Sequence, residues 1–402
     1  MSTRQDQMSI LQDKAIGALA GAAVGDAIGG ATEGRSAREI LERYNGYVEG
    51  IVDYFLPNWR TAKPMSPYHK GDGHVTDDTL MTNLLVAVYD KNRRHLSAFD
   101  MADDLVPLMM NQVTWIPELE RETVPLLRVF LAEKWLVTRL HYGHVDPREA
   151  GVGNVVNCGA AMYMAPVGIA NAGDPEGAYA EAVEMTGAHQ SSYGREAAAV
   201  FAAAVAAAMA PGATVDAVLT AAASLARDGT RDAIEAVLAA AVPGADWRDA
   251  IPVLRTAVTP FDSVGEVYRE PAQDSRRPSR LRSIEELPVA LGFLKVTQGD
   301  VRGSVLGATN YGRDSDSIAT MGGAIAGALG GESAVPPEWI EMVGTASRLD
   351  LRSGGLTMAA VAQEIFTVDD AAFSRRRDRM GGLMDTAENV ATQSSVPATR
   401  GA

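Results

Sequence analysis

An all-α fold is what this 402-residue chain predicts. Small and apolar residues recur at helical spacing over most of its length, strict period-two alternation is scarce, and a few proline-punctuated stretches interrupt the pattern. Ile16, Leu19, Ala20, Ala23, Val24, Ala27 and Ile28 carry the first such pattern. It predicts a helix over residues 9–22, with Gly25-Asp26 near its C-terminal end. Gly17, Gly21 and Gly25 lie between the apolar positions and would let another helix approach closely. The same texture returns in Arg195–Ala210, Val215–Ala226, Asp232–Ala241, Ile284–Val296, Ile318–Leu329 and Leu356–Ile365. Residues 50–75, 151–168 and 258–283 read as non-helical, and long loops of that kind are commonly functional. Nothing repeats at a fixed period and no low-complexity linker divides the chain, so residues 9–370 are expected to form one domain. The polar, patternless residues 384–402 are expected to be a flexible tail.

Composition narrows the function. A net charge of −15 opposes a nucleic-acid partner, which requires a basic face. The N-terminus has no basic region leading into an apolar run, and Ala197–Ala210 is too short to span a bilayer. The expectation is an acidic cytoplasmic protein with no membrane partner. Cys158 is the single cysteine, so neither an internal disulfide nor a cysteine-based zinc site is available.

Two acidic clusters carry the chemistry. Thr76-Asp77-Asp78-Thr79 and Gly312-Arg313-Asp314-Ser315-Asp316-Ser317 lie far apart in the chain, and each runs into an apolar helix. Helix capping would account for one carboxylate at a helix start, but not for four in two clusters. Oxygen-rich sets of this kind suit Mg²⁺, Mn²⁺ or Ca²⁺. They read as two halves of one metal site.

In this company the chain resembles the ADP-ribosylglycohydrolases. The resemblance rests on four motifs in the family's order, from about residue 11 to about residue 335. They are Gly17 through Gly29 followed by Glu33, the Thr76–Thr79 cluster, Asn157-Cys158-Gly159-Ala160-Ala161-Met162 through Gly168, and Asn310 through Gly330. It implies a compact multi-helix bundle around two Mg²⁺ or Mn²⁺ ions. Thr76, Asp77 and Asp78 would hold one ion, Asp314 and Ser317 the other, and Asp316 would bridge. Two such ions about 3.5–4 Å apart can clamp ribose hydroxyls. A water deprotonated by Asp77, Asp78 or Asp316 would attack the anomeric carbon, and Glu33 would act near the scissile bond as gate or proton donor. Asn157, Gly159, Ala160, Met162, Tyr163 and Gly312 would contact substrate, and His189 follows that loop by one helix.

The substrate loop departs from the family pattern. Tyr163 stands where an arginine is usual, removing a fork that could pair with a phosphate or carboxylate. Arg313 places a positive charge in the second acidic motif. The implied activity is hydrolysis of a ribosyl glycosidic bond, foremost in ADP-ribosylated protein side chains. A small nucleoside-like substrate and a non-catalytic binding homologue are the rival readings.

Overall fold

The computed structural model describes residues 8–57, 71–262, 265, 268 and 282–384. Among them almost everything is helical; the one sheet is a two-stranded hairpin pairing Thr114–Ile116 with Arg121–Thr123. The tail after residue 384 and the basic stretch 276–281 lie outside the described residues. So do Trp59 and Tyr68 of the aromatic loop. Phe55 of that loop is packed, with the Arg35 guanidinium 4.3 Å from its ring centre and Tyr44 edge-on.

Two helices make the axis of the molecule. Ile10–Gly29 runs antiparallel to Ser315–Gly330, and both are buried almost end to end. Glycines set their separation. A Cβ on Gly17, Gly21, Gly25 or Gly29 would come within 2.3 Å of the carbonyl oxygen of Gly327, Gly323, Ala319 or Ser315 respectively. The stripe therefore brings backbone against backbone. This packing also corrects the first predicted helix, which continues through Gly25-Asp26 to Gly29. Glycine weakens an isolated helix, but here tertiary contact outweighs that cost. Around the pair stand Asp77–Asn92, Ser192–Met209, Arg282–Val296, Val301–Tyr311 and Ser353–Met384. Two other expectations shift in the same way. A helix at Ala165–Ala170 begins inside a stretch read as non-helical, and the last helix outruns its predicted Leu356–Ile365 pattern at both ends.

The antiparallel pairing gives the axis two unlike ends. At one, the Lys14 ammonium donates to the carbonyls of Ala208 and Ala328 at 2.8 Å and Leu329 at 3.1 Å. These are the last carbonyls of two helices, where a cation is favoured. At the other end the C-terminus of Ile10–Gly29 meets the N-terminus of Ser315–Gly330, bringing Asp26 and Glu33 to Asp314 and Asp316. No helix among the described residues is long and apolar enough to cross a membrane.

Candidate metal and active site

The first acidic cluster opens a helix whose own N-cap side chain makes no capping bond. Asp26, reaching over from Ile10–Gly29, replaces it. Its carboxylate accepts from the backbone N–H groups of Thr76 at 2.9 Å and Thr79 at 3.1 Å, and from both threonine hydroxyls. The cap is thus supplied in trans, which fixes the helix bearing Asp77 and Asp78 to the central axis. Sequence reading placed Asp26 near the C-terminal end of the first helix without assigning it this task.

Local backbone ties set the second cluster. Gly34 N–H donates to the Arg313 carbonyl and Arg313 N–H to that of Arg35, both at 2.7 Å. Gly312, with φ +76°, lies in this bridge; a Cβ there would sit 2.1 Å from the Arg35 oxygen. Only glycine fits. Thr32 and Ser315 add a buried hydroxyl pair that shares the Gly29 carbonyl. Glu33 is thereby held beside the Asp314 turn.

The two clusters meet at Asp316. Carboxylate oxygens of Asp26, Asp78 and Asp316 lie within 4.8 Å of one another, as do those of Glu33, Asp314 and Asp316. Asp316 belongs to both sets. All five are buried or nearly so, and Thr76 and Ser317 are buried with them. Burial raises the Asp78 carboxyl well above the usual range, with Asp316, Asp26 and Asp77 pushing the same way. Burial also lifts Asp26 to about 6, against the pull of its hydrogen bonds from Thr76 and Thr79. Asp78 Oδ1 is buried without a hydrogen-bond partner. An oxygen-only set with an orphaned carboxylate oxygen is what a hard divalent cation satisfies, so the residues fit Mg²⁺ or Mn²⁺.

Each cluster has its own neighbours. The wholly buried Arg128 pairs with Asp77 at 3.0 Å and with buried Glu118. Asp314 instead meets uncharged donors, the Cys158 thiol and the Tyr268 phenol, each at 3.0 Å. The thiol also lies 3.2 Å from Ser317 Oγ. Burial and the nearby carboxylates raise the Cys158 pKa well above that of a free thiol. Glu286, on Arg282–Val296, brings a carboxylate into reach of Cys158 and Asp314. Glu286, Arg128 and Glu133 went unread in the sequence, because an acidic or basic residue inside a helix or loop carries no motif of its own.

The predicted substrate loop lies close by. Asn157 accepts from Gly159 N–H and from Gln190 Nε2, while Ala160 N–H donates to Gln190 Oε1. A Cβ on Gly159 would lie 2.4 Å from Glu133 Oε1. Burial raises that carboxyl to about 8, helped by Asp77. Ala160 and Met162 are buried. Tyr163 is fully buried, and its hydroxyl donates to His189 Nδ1 at 2.9 Å. His189 Nε2 in turn donates to the Ala132 carbonyl. Burial lowers this histidine to about 3, so it is neutral, and its nitrogens are occupied within the core. Arg313, which adds its positive charge to the second acidic motif, binds Asp262, the Gly265 carbonyl and Glu285.

Comparison with known proteins agrees with this architecture. The family model of the ADP-ribosylglycohydrolases matches residues 7–372. The chain is 26% identical over 375 residues to the ADP-ribosylarginine hydrolase Tri1 of Pseudomonas putida (strain GB-1), covering 88% of this chain and 78% of that one. A solved ADP-ribosylglycohydrolase-related protein complex shares the fold at TM-score 0.57 and 18% identity, over 88% of this chain and 100% of that one. With its helical architecture and a family match across nearly its whole length, the chain belongs to the ADP-ribosylglycohydrolase family.

Proposed function

We propose that this protein is a Mg²⁺- or Mn²⁺-dependent hydrolase that releases ADP-ribose from modified protein side chains, with arginine the linkage to test first. The observation that carries the reading is Asp316, whose carboxylate joins both acidic sets. Thr76, Asp77, Asp78, Asp314, Asp316 and Ser317 would hold the ions. Two divalent cations bound there would neutralise the carboxylates, orient ribose hydroxyls and lower the pKa of a nearby water.

The chain's own residues supply the rest. Arg128 holds one oxygen of Asp77. Asp77, Asp78 or Asp316 accepts the proton of the attacking water. Positive charge developing on the ribose is stabilised by the carboxylates around it, since the low-dielectric site strengthens their field. Glu33, on the loop facing Asp314 and Asp316, guards the mouth or protonates the leaving group. The arginine linkage is supported by the likeness to an ADP-ribosylarginine hydrolase.

The test is product release from arginine- and serine-linked ADP-ribosylated protein, alongside a nucleoside panel, read by mass spectrometry. Free ADP-ribose released with Mg²⁺ or Mn²⁺ and lost in chelator is the expected result. Undiminished turnover in excess chelator would refute the metal site. Cleavage of nucleosides alone would transfer the enzyme to small-metabolite chemistry.

A further inference from the structure

The last helix, Ser353–Met384, is buried at Gly355, Met358, Ala359, Val361, Ala362 and Ile365, and at no residue beyond. From residue 366 onward no residue of it is buried, although Asp369 still binds His95, and this exposed extension runs for roughly 28 Å at 1.5 Å per residue. Three large apolar side chains sit on this extension at a strict seven-residue interval, namely Phe366, Phe373 and Met380, at 71%, 64% and 48% exposure. A seven-residue interval keeps them on one face and supplies one of the two apolar positions per heptad by which a helix packs along a second helix. Asp369, Asp370, Arg376 and Arg377 flank the stripe within about one-sixth of a turn.

The charges select the partner and its direction. We propose that this extension pairs antiparallel with the same segment of a second copy, with Phe373 on the two-fold axis. Phe366 then packs beside the partner's Met380. Asp370 faces the partner's Arg377, and Asp369 faces the partner's Arg376. Parallel pairing would instead set each acidic pair against its own copy and each arginine against its own, at an electrostatic cost. In residues 366–384 the charges of Asp369, Asp370 and Asp378 nearly cancel those of Arg375, Arg376, Arg377 and Arg379. Such a balance suits self-pairing and disfavours an anionic membrane surface. Asp369 also binds His95 within its own chain, at 2.9 Å, so Asp370–Arg377 is the diagnostic pair.

Sedimentation velocity of the full chain tests this. The expected result is a monomer–dimer equilibrium whose dimer fraction rises between about 1 and about 100 μM. Asp370→Arg and Arg377→Asp should each weaken dimerisation about tenfold, because the symmetry sets like charges together twice. Combining them should restore it, with helical content and Tm unchanged throughout. Phe373→Cys should cross-link to itself through a short thiol reagent, and Val368→Cys, on the far side of the helix, should not. A chain that stays monomeric at 100 μM overturns the proposal. So does a double swap that fails to restore pairing, equal cross-linking at both positions, or vesicle binding by a persistent monomer.

Discussion

Both ends of the central helix pair bury charge where the helix macrodipole favours it, yet in opposite states of satisfaction. At one end a single Lys14 ammonium fills its three donor positions with three helix-terminal carbonyls. At the other, Asp26, Asp78, Asp314 and Asp316 crowd the start of two helices, and Asp78 Oδ1 is left without a partner. One end is balanced and the other has surplus negative charge. A buried charge whose bonds are complete holds a fold together, and one in excess is arranged for something that binds.

The sharpest break in this comparison is Asp316→Asn. If both acidic sets act through this residue, kcat should fall on the order of 10²–10³-fold, far more than in Glu33→Gln. Equal losses in the two variants would remove Asp316 from its joining role. Next comes Lys14→Met at the balanced end. It should cost about 1.5–3 kcal/mol in urea unfolding, because carbonyls lose a charged donor, while Mn²⁺ affinity by calorimetry stays at its wild-type value. A change in metal affinity there would mean that the two ends are not independent.

Asp78→Asn should act in the reverse sense. Removing one repelling carboxylate should raise Tm in chelator, whereas the Tm gain on adding Mn²⁺ should shrink. For the wild type that gain corresponds to about 2.7 kcal/mol at a hundredfold excess over Kd. A full metal-induced shift in the variant would place the cation elsewhere. The smallest effect is in pH. Asp26 is raised to about 6 in the fold, against an ordinary value near 4, so the native state binds its proton more tightly than the unfolded chain. In chelator its contribution to stability should be full below about pH 4 and lost as pH rises through 6. Asp26→Asn should flatten that part of the profile, and an unchanged slope would assign it to other groups.

Much of this end of the molecule could be read from local pattern. Thr76–Thr79 and Gly312–Ser317 announce themselves because hydroxyls and carboxylates are packed into a few adjacent positions. The glycines at 17, 21, 25 and 29 likewise announce close helix packing. The first helix was nevertheless predicted too short, because its Gly25–Gly29 end is held by a neighbour some three hundred residues away. Arg128 is a lone basic residue in sequence and becomes the partner of Asp77 only when the loop bearing it folds inward. Tyr163 reads as a loop residue, but its hydroxyl is used by His189 inside the core.

Sequence alone determined the helical class, the two acidic clusters and the family resemblance, since each depends on the spacing of neighbouring residues along the chain. Only the tertiary structure decided which charges meet. It assigned Asp26 to cap a helix it does not belong to, paired Arg313 with Asp262 and Glu285, and brought Glu133 and Glu286 beside the clusters. Electrostatic interaction and hydrogen bonding depend on distances of a few ångströms in space, and the order of residues along the chain does not specify those distances.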